Sequence, residues 1–231
     1  MKLAKLLNIA LVALIGTACT SIDSENIPTD SMTANIKISV HDSGNTDVQA
    51  TLRIEDSALT YLDLTGGEHL TATMGGRTTR LVPGFFDYRG FLSDGLAGHQ
   101  VRIGLNRNQY DDAHDSYATV PTPFTLRVTT HPNEYDDTIE LRWNDRTREK
   151  TRIKADGHCI RDEEWKFQSW NDTGRLTMAM SQLPIRSSWS GRECTIELTV
   201  ERCRDGRLDP HFYGGTIEAC QVRSDYIQIY K

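Results

Sequence analysis

From Ala34 onward, apolar and polar positions alternate with a period of two, as in strands that bury one face. Ile36, Ile38 and Val40 take one parity, and Asn35, Lys37 and Ser39 take the other. The alternation recurs at Val48–Ile54, Leu59–Leu64, Leu70–Met74 and Val101–Leu105. Turn formers separate these runs: Asp42-Ser43-Gly44-Asn45, Gly66-Gly67, Gly75-Gly76 and Pro83-Gly84. The pattern pauses at Val120-Pro121-Thr122-Pro123, where each proline removes a ladder donor, so the segment reads as a junction. It resumes at Phe124–Val128, Thr138–Trp143, Trp165–Phe167, Leu176–Met180, Thr195–Val200, Gly215–Ala219 and Tyr226–Ile229. No stretch shows a persuasive helical stripe. Short strands punctuated by Gly and Asp predict an all-β chain of two tandem antiparallel β-sandwich domains, residues 34–120 and 121–231.

The two halves end alike. Val101–Leu105 is followed by Asn106-Arg107, an acidic loop, a small-residue run and a last strand. Thr195–Val200 is followed by Glu201-Arg202, a loop with Asp205 and Asp209, another small-residue run and a last strand. This suggests duplication of one unit. The strand ending in Trp143, and Gly95-Leu96-Ala97-Gly98 leading into Val101–Leu105, resemble immunoglobulin-like and fibronectin type III-like sandwiches. The antibody order Cys…Trp…Cys is absent, because Trp143 precedes every cysteine of the second half. The resemblance implies a fold and no particular function.

The first residues are of another kind. Met1-Lys2-Leu3-Ala4-Lys5 precedes an apolar stretch from Leu6 to Ile15, then Gly16-Thr17-Ala18-Cys19. Basic residues, a short apolar core and small residues before a cut are the layout of a signal peptide, residues 1–18. The apolar stretch falls short of the roughly 20 residues that span a bilayer. Around Cys19 the segment resembles the lipobox of bacterial lipoproteins, with Gly16 where that family usually has Leu. The resemblance implies a lipid on Cys19. With Thr20 and Ser21 following and no Asp, it further implies an outer-membrane address facing the periplasm or the surface. Residues 19–33, polar and holding Pro28, read as a flexible tether.

Cleavage after Ala18 takes two lysines and no acid, moving the formal charge from −6 to −8. A chain so acidic lacks the basic stripe that tracks phosphates, which argues against a nucleic-acid partner. The basic residues Arg142, Arg146, Arg148, Lys150, Arg152 and Lys154 alternate with acids and read as solvated strand faces. Five cysteines are an odd number for an exported chain. Setting Cys19 aside for lipid leaves Cys159, Cys194, Cys203 and Cys220, an even set suited to an oxidising compartment. Cys203 and Cys220 lie about evenly on either side of His211 and would face each other in a hairpin, leaving Cys159 with Cys194. Three pairings are open on sequence alone. A zinc site would want a close Cys pair, and none is present.

Two acidic groups are candidates for calcium, which takes six to eight oxygen ligands: Asp111, Asp112 and Asp115, and, past the junction, Asp136 and Asp137. An ion shared between them would resemble the device that stiffens cadherin-like tandems. Trp170 and Trp189, beside Asn171-Asp172 and Ser187-Ser188, are candidates for binding a protein or glycan partner, with core packing as the competing role. Reaction motifs are missing: no Gly-x-Ser-x-Gly, no His-Glu-x-x-His, no glycine-rich phosphate loop. The reading that follows is a membrane-anchored, non-catalytic binding or scaffolding module. An envelope hydrolase using Asp111 or Asp115 with His114 is the alternative.

Overall fold

The computed structural model describes residues 20–230, apart from 56, 58, 94, 132–137, 145, 146, 148, 162–164, 170, 171, 188 and 192. The expected signal peptide, Cys19, Asp136, Asp137 and Trp170 lie outside the described residues. The chain is all-β, as the alternation predicts. Its first half holds β1 (Thr20–Asp23), β2 (Met32–Val40), β3 (Thr46–Ile54), β4 (Thr60–Asp63) and β5 (His69–Met74). It continues with β6 (Arg77–Arg80), β7 (Val82–Pro83), β8 (Tyr88–Leu92), β9 (Gln100–Asn106) and β10 (Ala113–Thr119). The second half holds β11 (Leu126–His131), β12 (Thr138–Trp143), β13 (Lys150–Asp156), β14 (Trp165–Ser169), β15 (Arg175–Ala179), β16 (Glu193–Asp205) and β17 (Gly214–Tyr230).

One sheet runs through both halves in the order β1-β4-β3-β2-β17-β16-β13-β14, with β8 and β7 added beside β3. A four-stranded sheet, β10-β9-β5-β6, covers one part of it, and a three-stranded sheet, β11-β12-β15, covers another. Each cover closes a sandwich over its own apolar core. The first core is built from the alternating positions of β2, Met32 to Val40, against Leu70, Ala72, Val101, Ile103 and Leu105. The second sets Ile139, Leu141 and Trp143 against Ile153, Ile196, Leu198 and Val200.

The cores do not divide the chain at residue 120. Phe212, Ile217 and Ala219 belong to the first core, while Ile227 and Ile229 of the same strand belong to the second. The cause is the hairpin of β16 and β17, thirteen and seventeen residues long, which pairs along the whole of β16 and serves both sandwiches. The start of β17 lies parallel to β2, from Gly214 opposite Thr33 to Gln221 opposite Val40. β1 and β4 also pair in parallel, and the other pairs are antiparallel, as expected. Gly215 makes the parallel approach possible: its φ is +120°, and a Cβ there would stand 1.9 Å from the Ala34 carbonyl oxygen.

The tether expectation for residues 19–33 is corrected over its described part. Thr20–Asp23 is β1, two 3-10 turns follow, and Met32 already sits in the first core. The polar residues that suggested a free segment are spent on a buried network. Arg107 and Glu68, both fully buried side chains, form an ion pair at 2.7 Å. Arg107 also donates to the carbonyl oxygens of Ser24 (3.0 Å) and Ile27 (2.9 Å), and the Ser24 hydroxyl donates to Glu68. A buried charge is tolerated when it is paired and hydrogen-bonded, and here that requirement holds the segment down.

Candidate functional site

The inner face of the shared sheet carries both cores, and between them three polar side chains, Arg202, Gln221 and Arg223, are buried. Their partners come from the proline junction. Gln221 donates to the Pro121 carbonyl at 3.2 Å, Arg202 to that of Thr122 at 3.2 Å, and Arg223 to that of Phe124 at 2.9 Å. The junction carbonyls lie outside the strand ladders, so the sheet supplies side-chain donors instead. Arg202 is fully buried and pairs with Asp172 at 2.8 Å, while its guanidinium lies 4.8 Å from the Phe124 ring centre. Asp172 also accepts from the Trp143 indole at 2.5 Å. This inner seam is a structural joint.

The outer face is open and concave. Along it, Lys37 of β2, Asp47 and Gln49 of β3, Arg89 and Phe91 of β8, and Glu201 of β16 line a groove of about 250 Å³. The same alternation that sends Ile36, Ile38, Val48 and Val200 inward presents these side chains outward. Phe91 stands opposite Asp47 in the ladder, and its ring is 71% exposed. Arg89 and Gln49 are also opposite each other and both bond Asp87, at 3.0 and 2.5 Å. The Arg89 bond, with help from Gln49, holds the Asp87 carboxyl below its ordinary range against a smaller opposing effect of burial.

Glu201 forms the buried end of the groove, its side chain only 4% exposed. Lys37 reaches it at 2.7 Å, Lys154 at 3.0 Å and Arg152 at 3.7 Å. Burial alone would raise its pKa, but the Lys37 and Lys154 ammonium groups outweigh that and hold it below the ordinary range. Lys37 and Lys154 both meet its Oε1, while its Oε2, shut off from solvent, faces the Arg152 Nε in the longer ion pair.

The structure pairs Cys159 with Cys194 and Cys203 with Cys220, the latter directly across the hairpin. Glu201, Cys203 and Cys220 bring three potential metal ligands together, but disulfide sulfurs offer no thiolate. It is the one such grouping among the described residues, and it does not include Asp111, Asp112 or Asp115. Asp112 instead accepts from the Arg107 backbone at 2.6 Å and bonds His114 at 3.1 Å. Asp115 lines a small recess with Arg102, Tyr117 and Arg207, a recess that His114 does not line. The acids on this loop act on His211: its bond to Asp209 at 2.8 Å raises its pKa first, and Asp111 and Asp115 add to the rise.

Trp189 is half-buried against the second core, and Trp143 is buried in it. Among the described residues, the exposed aromatic rings sit elsewhere: Phe85, Phe91, Phe167, Tyr213 and Tyr226. Phe91 follows Tyr88 and Gly90 in a five-residue strand whose buried positions are Tyr, Gly and Leu, too mixed a set to announce a strand. A period-two reading of Tyr88–Leu92 would have found its outward face.

Fold and site together define an all-β protein of two sandwiches, with two disulfides and a polar groove on their common sheet. No family model and no curated protein matches the chain. Among solved structures it is similar to a chain of a cytokine receptor complex, with 9% identity over 85% of this chain and 96% of that one, at a TM-score of 0.30. It is also similar to a bacterial ice-binding adhesin involved in host cell surface retention, with 9% identity over 84% of this chain and 63% of that one, at a TM-score of 0.25. Likenesses this distant carry no conclusion about activity. The two disulfides indicate an oxidising compartment, outside the cytoplasm. Among the described residues, no helix is long and apolar enough to cross a membrane.

Proposed function

We propose that the chain is an envelope lipoprotein, anchored in the outer membrane by a lipid on Cys19, that binds a protein or glycan partner without catalysis. The groove on the outer face of the shared sheet is the receptor. The observation that carries this reading is a concavity lined by polar side chains whose rim holds the exposed Phe91 ring. A ligand with hydroxyl or amide groups and one apolar face meets both: its polar groups bond the side chains lining the groove, and the apolar face stacks on Phe91. A saccharide unit or a short peptide segment has that chemistry. Donors and acceptors of both signs line the groove, through Lys37, Arg89, Asp47 and Gln49, which suits a ligand of low net charge.

The reading is tested by immobilising the oxidised chain from Thr20 to Lys231 and passing envelope proteins and polysaccharides over it. A discrete ligand retained by the parent chain is expected to lose about tenfold or more in affinity with Phe91→Ala. Retention that Phe91→Ala and Gln49→Ala leave unchanged would remove the groove from the account. The mass of the N-terminal peptide from the native membrane tests the anchor separately, since acylated Cys19 must be its first residue.

A further inference from the structure

The first described strand lies at a corner of the first sandwich that gathers several exposed apolar side chains. The Thr20 backbone donates to the Leu59 carbonyl at 3.2 Å, and Thr20 stands opposite Thr60 in the parallel pairing of β1 with β4. One residue on, Ser21 stands opposite Tyr61, whose ring stacks on Phe86 at 4.3 Å. Phe86 in turn meets Phe85 edge-on at 4.3 Å. Phe85 is 85% exposed, Val82 at the base of the same hairpin 65%, and Leu59 43%. Arg53 lies over the Tyr61 ring at 4.9 Å, placing a cation at the edge of the patch.

We propose that this corner, with Phe85 at its tip, inserts into the headgroup and acyl boundary of the bilayer that holds the anchor. The proposal rests on the lipid-anchor reading above. Cys19 is bonded to Thr20, so a lipid on it leaves the fold beside Leu59 and Tyr61 with no intervening spacer. A side chain as apolar as Phe gains little by standing in water at the tip of a turn. Brought to a membrane by a neighbouring acyl chain, it gains a second apolar contact without further loss of translational freedom.

The patch also fixes an orientation. Phe91 lies level with Asp47 on β3, and Tyr61 lies level with Arg53. Six residues of strand at about 3.4 Å each separate the two levels, or roughly 20 Å. The Phe91 end of the groove thus stands farthest from the anchored corner, while Arg89 and Gln49, level with Val82, lie nearer to it. β17 runs parallel to β2 away from the anchored corner and carries the second sandwich further out.

Four of the five cysteines are bridged, so Cys19 is the one thiol left. Maleimide-headed phosphatidylethanolamine therefore tethers the oxidised mature chain at its proposed native position, whether or not the cell lipidates it. The vesicles are phosphatidylethanolamine with phosphatidylglycerol, with acyl chains brominated near the headgroup. Phe85→Trp and, as the reference, Phe91→Trp are compared with the parent chain, whose own tryptophan signal is subtracted. Insertion predicts that brominated lipid removes about half or more of the added emission at 85, at a depth of about 5–10 Å, and none at 91. Equal quenching at the two positions, or none at either, overturns the proposal. An unacylated native Cys19 would instead overturn the anchor reading while leaving the tethered result standing.

Discussion

Glu201 and Arg202 are neighbours in sequence and point to opposite faces of one strand. Glu201 is held by Lys37 and Lys154 on the outer face, Arg202 by Asp172 on the inner face, and both are buried. Removing Asp172 costs about 3–5 kcal/mol, because the Arg202 charge is left buried without its carboxylate. His211 is the opposite case, an exposed ring tied to a buried carboxylate. Its pKa is raised by the Asp209 bond, with Asp111 and Asp115 contributing, so its stabilisation is complete below the ordinary histidine range and fades as pH rises through the raised value. Asp209 is lowered: burial pushes it up, but bonds from the His211 and Asp115 backbones and the His211 ring outweigh this. Its contribution is present above the ordinary carboxyl range and is lost as pH falls through the lowered value. The pair is therefore strongest in mildly acid solution. Thermal unfolding at about pH 5.5 and about pH 8.5 checks this: the parent chain should lose more stability between the two than His211→Asn. Equal losses would show that the pair contributes nothing.

At the scale of elements, the β16–β17 hairpin decides the architecture, and Gly215 decides whether it can dock on β2. Gly215→Ala places a methyl group against the Ala34 carbonyl in a backbone region that disfavours side chains. It is expected to cost about 2–3 kcal/mol and to raise amide exchange first along Thr33–Val40, where β17 pairs. Uniform exchange with unchanged stability would contradict that role. The same hairpin shows where the sequence could be read and where it could not. Strands such as Met32–Val40 announce themselves by strict alternation, because one face meets a core and the other meets water. β16 alternates as far as Leu198 and is then buried continuously from Val200 to Cys203, because the joint covers one face while salt bridges and a disulfide cover the other. Charged residues in a doubly buried strand look like the start of a loop, so the strand seemed to stop at Val200. The polar stretch before Met32 misled in the same way. Ser24 and Arg107 are far apart in sequence, and nothing local reveals that one will bury the other.

For the whole molecule, the joint ties two sandwiches into one continuous sheet, and that sheet provides the groove. The cysteine count pointed to an oxidising compartment before any fold was known, and the hairpin then selected one pairing of the three. The groove was not legible, because its residues come from four strands spread between Lys37 and Glu201 and are brought side by side only by the parallel pairing of β17 with β2. The exposed ring on the groove is Phe91, in a strand too short and too mixed to stand out, while Trp189 is half-buried against the second core. The most direct measurement of the central claim is amide NMR of the oxidised chain as a fractionated envelope glycan or captured protein segment is added. Binding in the groove predicts shifts concentrated at Lys37, Asp47, Gln49, Arg89, Phe91 and Glu201, with the acidic loop at Asp111–Asp115 unmoved. Shifts gathered at that loop or around Trp189, with the sheet face silent, would contradict it.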